Sequence, residues 1–293
     1  MVKQLTVISG KGGTGKTTIS SSFASLAENA VIADCDVDAA DMHLILHPEV
    51  VETHDFFGLK VADINKDQCT DCGICSSVCR FDAIGRDTTG RYPVVDAYKC
   101  EGCAVCEYSC PENAIIMLDK KAGEYYCSNT RFGPLVHAKL GIGEEASGKL
   151  VSNVRHKALE LAETTAKNLI IIDGPPGIGC SVIAAITGTD MVLVVTEPTR
   201  SGIHDLERVI GVAEHFRIPA AVCINKYDIN VEISQDISDY CENRGIDVVG
   251  MLPYDKSPVE SMLAGKSVVE AFDNELSGRI RSMWCMLSSE LVS

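Results

Sequence analysis

The sequence contains no apolar stretch long enough to cross a lipid bilayer, which takes about 20 predominantly apolar residues. Its first residues, MVKQLTVIS, resemble a β-strand and not the basic start and apolar centre of a secretory signal peptide. Low-complexity tracts are also absent. Because 46% of the residues are hydrophobic, the chain can form a globular core. We therefore expect a globular, cytoplasmic protein.

Basic residues are few relative to acidic ones. The chain has 26 Lys and Arg residues against 41 Asp and Glu residues, which gives a formal net charge of −15. Nucleic-acid binding depends on Lys and Arg side chains that neutralise phosphate groups. The composition therefore argues against a nucleic-acid partner.

Cysteine, in contrast, is abundant, with 14 residues. Disulfides are rare in a reducing cytoplasm, where closely spaced cysteines are more typical of metal binding. Eight of them fall between Cys69 and Cys110, so they form a local module. A length of 293 residues accommodates one large α/β core together with such a module.

The apolar segments indicate an α/β fold. Near-continuous apolar segments at 168–177, 191–198, 220–226 and 247–253 are separated by helical stretches such as 202–216 and 233–245. Strands without polar alternation, separated by helices, predict a doubly wound, mostly parallel sheet covered on both faces. Residues 60–119 interrupt this pattern because they are rich in Cys, Asp and Gly. We therefore expect residues 1–59 and 120–293 to form one domain and residues 60–119 to be an insertion.

A glycine-rich loop, SGKGGTGKTT, joins the first predicted strand to the first predicted helix. Its four glycines allow backbone N–H groups to turn toward phosphate oxygens, and the helix that follows adds its positive N-terminal end. In such a loop Lys16 reaches the β- and γ-phosphates and the Thr17 hydroxyl binds Mg²⁺. The loop therefore predicts a MgATP site.

The segment GKGGTGKTT resembles the deviant Walker A loop of the MinD/ParA/Mrp group of P-loop NTPases. In that group the early lysine crosses into the nucleotide site of a partner subunit, in a dimer that encloses two ATP molecules. The resemblance therefore implies a homodimer in which Lys11 supplies positive charge in trans to the transition state.

Further segments resemble the same group. ADCDVDAADMHL resembles its switch I, with Asp36 orienting the attacking water, and IIIDGPPG resembles its Walker B strand and switch II. CINK and LPYD fall where the group contacts adenine. The resemblance implies catalytic roles for Lys11, Lys16, Asp36 and Asp173; a Mg²⁺ site at Thr17, Asp34, Asp36 and Asp173; and ATP contacts at Gly10, Lys11, Gly12, Gly13, Thr14, Gly15, Lys16, Thr17, Thr18, Asn225 and Pro253.

Two cysteine runs share the spacing C-x2-C-x2-C-x3-C. This spacing brings three thiolates to one 4Fe–4S cluster while the fourth cysteine reaches the other cluster, and the pair resembles a bacterial two-cluster ferredoxin. The predicted ligands are Cys69, Cys72, Cys75 and Cys110 for one cluster, and Cys100, Cys103, Cys106 and Cys79 for the other. Structural zinc is the alternative, although zinc sites do not need this triple spacing twice. Arg80 stands where the ferredoxin pattern has proline.

Over nearly its full length the chain resembles MinD-superfamily ATPases that carry an inserted α+β ferredoxin domain. That resemblance implies a MgATP-hydrolysing switch coupled to iron–sulfur chemistry. The coupling takes one of two forms, namely assembly or delivery of a metal cluster to a recipient protein, or ATP-gated electron transfer to a redox partner. The alternatives are a MinD/ParA-type positioning or scaffold ATPase and an amidating ATPase of the cobyrinate-synthase type, for which no glutamine-hydrolysing domain is recognisable.

Six cysteines lie outside the two runs, and most are expected to be small buried hydrophobic residues. Cys180 follows Asp173 by seven residues, the spacing at which the nitrogenase iron protein has a cluster ligand. Cys127 lies roughly where that protein has its other ligand. A dimer-interface metal site formed by Cys127 and Cys180 of two subunits is therefore one hypothesis, and ordinary packing is the other.

The C-terminal segment, at about 274–289, is predicted to be a helix with one apolar face. The same helix contains Cys285. It has only two basic residues and is flanked by acidic ones. A membrane-binding amphipathic helix typically has a basic polar face. We therefore expect this helix to pack on the core and do not expect membrane binding.

Overall fold

The computed structural model describes residues 2–141, 144 and 147–292. Its strands are β1 (Lys3–Ser9), β2 (Ala30–Asp34), β3 (Glu49–Ile64), β4 (Ile84–Arg86), β5 (Pro93–Val95), β6 (Ile115–Thr130), β7 (Gly133–Leu140), β8 (Leu169–Pro176), β9 (Met191–Thr196), β10 (Ala220–Asn225) and β11 (Asp247–Leu252). Its α-helices are α1 (Lys16–Leu26), α2 (Met42–Leu46), α3 (Ile74–Val78), α4 (Val105–Tyr108), α5 (Ser147–Thr164), α6 (Cys180–Ile186), α7 (Arg200–His215), α8 (Val231–Asn243), α9 (Ser257–Leu263), α10 (Val268–Ala271) and α11 (Glu275–Val292).

Nine strands form one sheet in the order β11-β10-β9-β1-β8-β2-β7-β6-β3. The neighbours from β11 to β7 pair in parallel, which confirms the predicted mostly parallel α/β fold. Strand β1, in the interior of the sheet, leads into α1 and then to β2, which lies beyond β8. The loop after β1 therefore opens at the carboxyl edge of the sheet, where open α/β sheets bind their ligands.

Helices cover both faces of this sheet. On one face Leu193 and Val195 of β9 belong to an apolar cluster with Phe23 of α1 and with side chains of α11. On the other face Val192 and Val194 pack with side chains of α6, α7 and α8. Successive side chains of a strand point to opposite faces. Both sets are buried, and this explains why the strands show no polar alternation in the sequence.

Helix α11 packs on the sheet, as predicted. Its buried side chains are Leu276, Ile280, Met283, Leu287 and Leu291, and the Trp284 ring lies 5.0 Å from the ring of Phe23. Cys285 was expected to be buried, and that expectation is wrong because the residue is exposed. Two positions beyond Met283, it is rotated by about 200° to the other side of the helix. Within the described ranges, no helix is long and apolar enough to cross a membrane.

The chain divides into two compact units. Of the described residues, 2–54, 125–139 and 147–292 form the first, and 55–124, 140, 141 and 144 form the second. The predicted insertion of residues 60–119 lies inside the second unit, and the division falls within strands β3 and β6. The second unit contains the antiparallel β4–β5 pair, α3, α4 and a small apolar cluster around Ala62, Cys75 and Ile115.

Candidate functional site

The loop between β1 and α1 depends on two glycines that leave no room for a side chain. Gly15 has a φ of +94°, and a Cβ there would lie 2.5 Å from Asn225 Nδ2. A Cβ at Gly10 would overlap with Asp205 Cβ. Asn225 also donates a hydrogen bond from Nδ2 to the Thr14 carbonyl at 2.8 Å. Asn225, the last residue of β10, therefore contacts the glycine loop and holds it in place.

The first turns of α1 contact both predicted catalytic aspartates. Thr17 Oγ1 donates to Asp173 Oδ2 at 2.7 Å, and Lys16 Nζ lies 3.9 Å from Asp36 Oδ2. Ser20 donates its hydroxyl to Asp173 Oδ1 at 2.8 Å. Sequence analysis did not name Ser20, although its position four residues after Lys16 places it on the same helix face.

The three predicted Mg²⁺-binding aspartates are all buried. Asp34 in β2 lies opposite Asp173 in the adjacent strand β8. Burial, with repulsion from Asp173, holds the pKa of Asp34 well above its usual range. Burial also raises the pKa of Asp173, and it raises that of Asp36 to about 6. Asp34 Oδ2 has no hydrogen-bond partner among the residues described. Buried carboxylates with an unused oxygen fit a divalent cation such as Mg²⁺, which takes oxygen ligands.

A cavity of about 440 Å³ adjoins the glycine loop. Its lining includes Gly13, Gly15, Thr18, Asn225, Pro253 and Tyr254. Of the predicted ATP contacts, Gly13, Gly15, Thr18, Asn225 and Pro253 therefore lie around one cavity. Met262, an apolar side chain of the lining, was not found from the sequence, because it belongs to no motif. Polar backbone groups at one end and apolar side chains elsewhere are typical of a small-molecule site.

Lys11, the early lysine of the loop, is bound within its own chain. Its Nζ lies 3.4 Å from Glu197 Oε2 and 3.3 Å from Thr199 Oγ1. The carboxylate of Glu197 also contacts the ammonium of Lys226. Sequence analysis named neither Glu197 nor Thr199. In this conformation the charge of Lys11 is neutralised by a neighbour on the same chain.

The eight cysteines of the second unit surround two small cavities. Cys69, Cys72, Cys75 and Cys110 line one, and Cys79, Cys100, Cys103 and Cys106 line the other. Each cavity thus has three cysteines of one run and the fourth of the other. The sulfurs of Cys79 and Cys110 accept backbone N–H bonds from Ala83 and Ala114 at 3.4 and 3.3 Å. Four thiols around a cavity fit a 4Fe–4S cluster, and they would also fit zinc.

The two cysteine runs fold alike. Left-handed backbone conformations occur at Asp71 and Gly102, at Gly73 and Ala104, and at Asp82 and Asn113. The members of each pair are 31 positions apart, as are the cysteines of the two runs. Helices α3 and α4 begin directly after the second of these pairs. The two cysteine runs therefore form a structural repeat of 31 residues, and each cavity takes three cysteines from one copy and one from the other.

The remaining cysteines lie in different surroundings. Cys35, Cys223 and Cys241 are buried, as expected. Cys180 is the first residue of α6 and is exposed. Cys127 in β6 is buried next to Glu52 and His54. No observation tests whether Cys127 and Cys180 share a metal across a dimer interface, so that site stays a prediction.

Comparison with known sequences identifies relatives of the nucleotide-binding region. The family model for the CobQ/CobB/MinD/ParA nucleotide binding domain matches residues 5–268. An uncharacterised protein of Methanocaldococcus jannaschii is 35% identical over 233 residues, which cover 78% of this chain and 80% of that protein. The septum site-determining protein MinD of Bacillus subtilis is 22% identical, with 97% of this chain and 88% of that protein covered.

Comparison with solved structures identifies the fold. The septum site-determining protein MinD of Pyrococcus horikoshii, solved with Mg-ADP, has a TM-score of 0.60 at 16% identity and covers 99% of this chain and 97% of its own. The cell division ATPase MinD of Pyrococcus furiosus has a TM-score of 0.59 at 16% identity, with coverage of 99% and 100%. At such identities the likeness shows the fold alone, which is the mostly parallel P-loop NTPase fold of the MinD type.

Proposed function

This chain belongs to the CobQ/CobB/MinD/ParA nucleotide binding domain family, and we propose that it is a MgATP-hydrolysing dimeric switch coupled to iron–sulfur chemistry. The comparisons support the ATPase part of this proposal. They favour a MinD/ParA-type ATPase, the alternative reading of the sequence, over the coupling to iron–sulfur chemistry. Support for the coupling comes from the eight cysteines of the second unit.

The ATPase proposal rests on the glycine loop beside three buried carboxylates. The loop N–H groups and Lys16 would hold the phosphates, while Thr17 and the carboxylates would hold Mg²⁺ directly or through water. Asp36, next to Lys16, would orient the attacking water. Lys11 of the partner subunit would stabilise the charge that develops on the transferred phosphoryl group.

Two loop variants test this half of the proposal. Lys16→Ala should lose MgATP binding, because it removes the buried ammonium at the phosphates. Lys11→Ala should still bind MgATP but should not hydrolyse it, because that lysine acts in trans. Equilibrium binding of a fluorescent ATP analogue and phosphate release would measure the two effects. Lys3→Ala, at a partly exposed lysine of β1 outside the loop, is the control. Parent-rate hydrolysis by Lys11→Ala would refute the in-trans role.

The iron–sulfur half rests on two sets of four thiols around separate cavities. When bound, 4Fe–4S clusters would supply one-electron transfer. The chain's own contribution is to place the thiols and to direct backbone N–H groups at the sulfurs of Cys79 and Cys110, which is one of the means by which proteins tune a cluster's potential. Both forms of coupling, to a cluster recipient and to a redox partner, remain within this proposal.

A positioning or scaffold ATPase is the second candidate, because the MinD relatives carry septum site-determining names. In this chain α11 packs Ile280 and Met283 against the core, so its apolar face is already covered. We therefore expect no binding to membranes. Sedimentation with anionic lipid vesicles would test this, and ATP-dependent binding to the vesicles would favour the positioning reading.

A further inference from the structure

A cluster of three potential metal ligands lies on β3 and β6, which are neighbours in the sheet. Glu52 and His54 are two residues apart in β3, so they point to the same face. Cys127 of β6 lies beside them, and the donor atoms of the three side chains are all within 4.8 Å of one another. We propose that Glu52, His54 and Cys127 form a site for a divalent transition-metal ion, with Zn²⁺ as the best fit.

The donor set selects the kind of ion. A thiolate, an imidazole and a carboxylate are the three ligand types that Zn²⁺ takes in proteins. Mg²⁺ and Ca²⁺ prefer oxygen ligands, so a sulfur donor argues against them. At Zn–ligand distances of about 2.0–2.3 Å, tetrahedral ligands are about 3.3–3.8 Å apart. Because the three donor atoms already lie within 4.8 Å of one another, small side-chain movements are enough to close the site.

Neighbouring side chains hold two of the ligands in position. The His54 ring stacks on Tyr125, with centroids 4.7 Å apart and planes 14° from parallel, and its Nε2 lies 3.0 Å from Glu52 Oε2. Lys157 Nζ lies 3.6 Å from Glu52 and 3.1 Å from Glu160. The lysine can therefore keep Glu160 as its partner when a cation replaces it at Glu52.

The site is open on one side. The Cys127 residue is only 5% exposed, whereas the side chains of His54 and Glu52 are 34% and 51% exposed. The sulfur therefore lies on the buried side of the site, and solvent reaches the metal position from the side of His54 and Glu52. Three protein ligands and one open position leave room for a water molecule or an incoming ligand, as in catalytic zinc sites.

This site differs from the metal site predicted at a dimer interface. It is complete within one chain, and Cys180 is not one of its ligands. It also uses none of the residues assigned to MgATP or to the eight-cysteine module. Its existence is therefore independent of the proposed ATPase function.

Zinc binding by the full chain, with its eight-cysteine module filled with iron–sulfur clusters beforehand, tests the proposal. After equilibration in zinc-buffered solution, the parent should contain one more zinc per chain than His54→Ala, Glu52→Gln or Cys127→Ser. Loss of a residue that only hydrogen-bonds to a metal ligand typically weakens metal binding about 10–100-fold. Loss of a ligand itself should therefore weaken zinc binding by more than about 100-fold. His204→Ala, at an exposed histidine, and Cys180→Ser are matched controls and should keep the parent zinc content.

The outcomes separate the alternatives. If His54→Ala or Glu52→Gln bound as much zinc as the parent, the proposal would be overturned. These two positions are exposed enough for the variants to fold even if Cys127→Ser does not. Loss of zinc in Cys180→Ser would overturn it in favour of the shared interface site. Zinc-edge X-ray absorption of the parent, compared with that of His54→Ala, should show a site with one sulfur ligand and the rest nitrogen or oxygen. A site without sulfur would contradict the assignment of Cys127.

Discussion

Glu197 should restrain dimer formation, because it holds Lys11 within its own chain. The Lys11 ammonium lies 3.4 Å from Glu197 Oε2 and must leave it before it can enter the partner's nucleotide site. Glu197→Gln removes the negative charge and keeps the size of the side chain. We therefore expect the variant to dimerise more tightly than the parent when ATP is bound.

The size of the effect follows from the geometry of the ion pair. Coulomb's law gives about 5 kcal/mol for unit charges at this distance with an effective dielectric constant of about 20. The Lys11 side chain is 33% exposed and that of Glu197 14%, and Glu197 is shared with Lys226. Partly solvated pairs of this kind contribute about 1 kcal/mol or less. Two lysines are released per dimer, so the free energy of dimerisation should gain up to about 2 kcal/mol, or about 30-fold in the dissociation constant.

Sedimentation equilibrium with a non-hydrolysable ATP analogue would measure this change. Glu214→Gln is the matched control, because Glu214 forms an exposed ion pair with Arg244 and takes no part in the loop. In a Lys11→Ala background, Glu197→Gln should have no further effect on dimerisation, which completes a double-mutant cycle. An unchanged or weaker dimer in Glu197→Gln would refute the reasoning.

Two further predictions concern the cysteine module and a half-buried histidine. Anaerobically reconstituted protein should hold about eight irons per chain. Cys72→Ser and Cys103→Ser should each lose about four of these irons and still bind ATP. Bound zinc without charge-transfer absorption would contradict this prediction. Burial lowers the pKa of His137 to about 4. Since the unfolded chain then binds a proton that the folded chain does not, stability is lost as the pH falls from about 6.5 toward 4. Between pH 7 and pH 5, the free energy of unfolding measured in urea should fall by about 1 kcal/mol less in His137→Gln than in the parent, after allowance for partial exposure. Equal losses in the two proteins would contradict this prediction.

The parallel core could be predicted because its strands are buried on both faces. An apolar run such as 191–198 between two helices indicates a strand that is buried on both faces. The structure has β9 at this position. The glycine loop could be predicted because its glycines and lysines are contiguous in the chain. Two glycines then prove sterically necessary, through contacts with Asp205 and Asn225 that are remote in sequence.

Strand β3 could not be predicted, because most of its 16 residues are exposed or half-buried and give no apolar pattern. The ion-pair partner of Lys11 could not be predicted from the sequence either. Glu197 is 186 positions away in the sequence, and only the pairing of β1 with β9 brings the two strand ends together. The Glu52–His54–Cys127 cluster has the same origin, since its third member lies on a different strand.

Coupling between ATP and the cysteine module can be measured directly through the clusters themselves. The reduction rate and the potential of the reconstituted clusters should be compared with MgATP, with MgADP and without nucleotide, in the parent and in Lys16→Ala. MgATP should change the rate or the potential in the parent and should leave both unchanged in Lys16→Ala. Identical values in all three nucleotide states of the parent would contradict the coupling and would leave a MinD/ParA-type ATPase with a separate metal module.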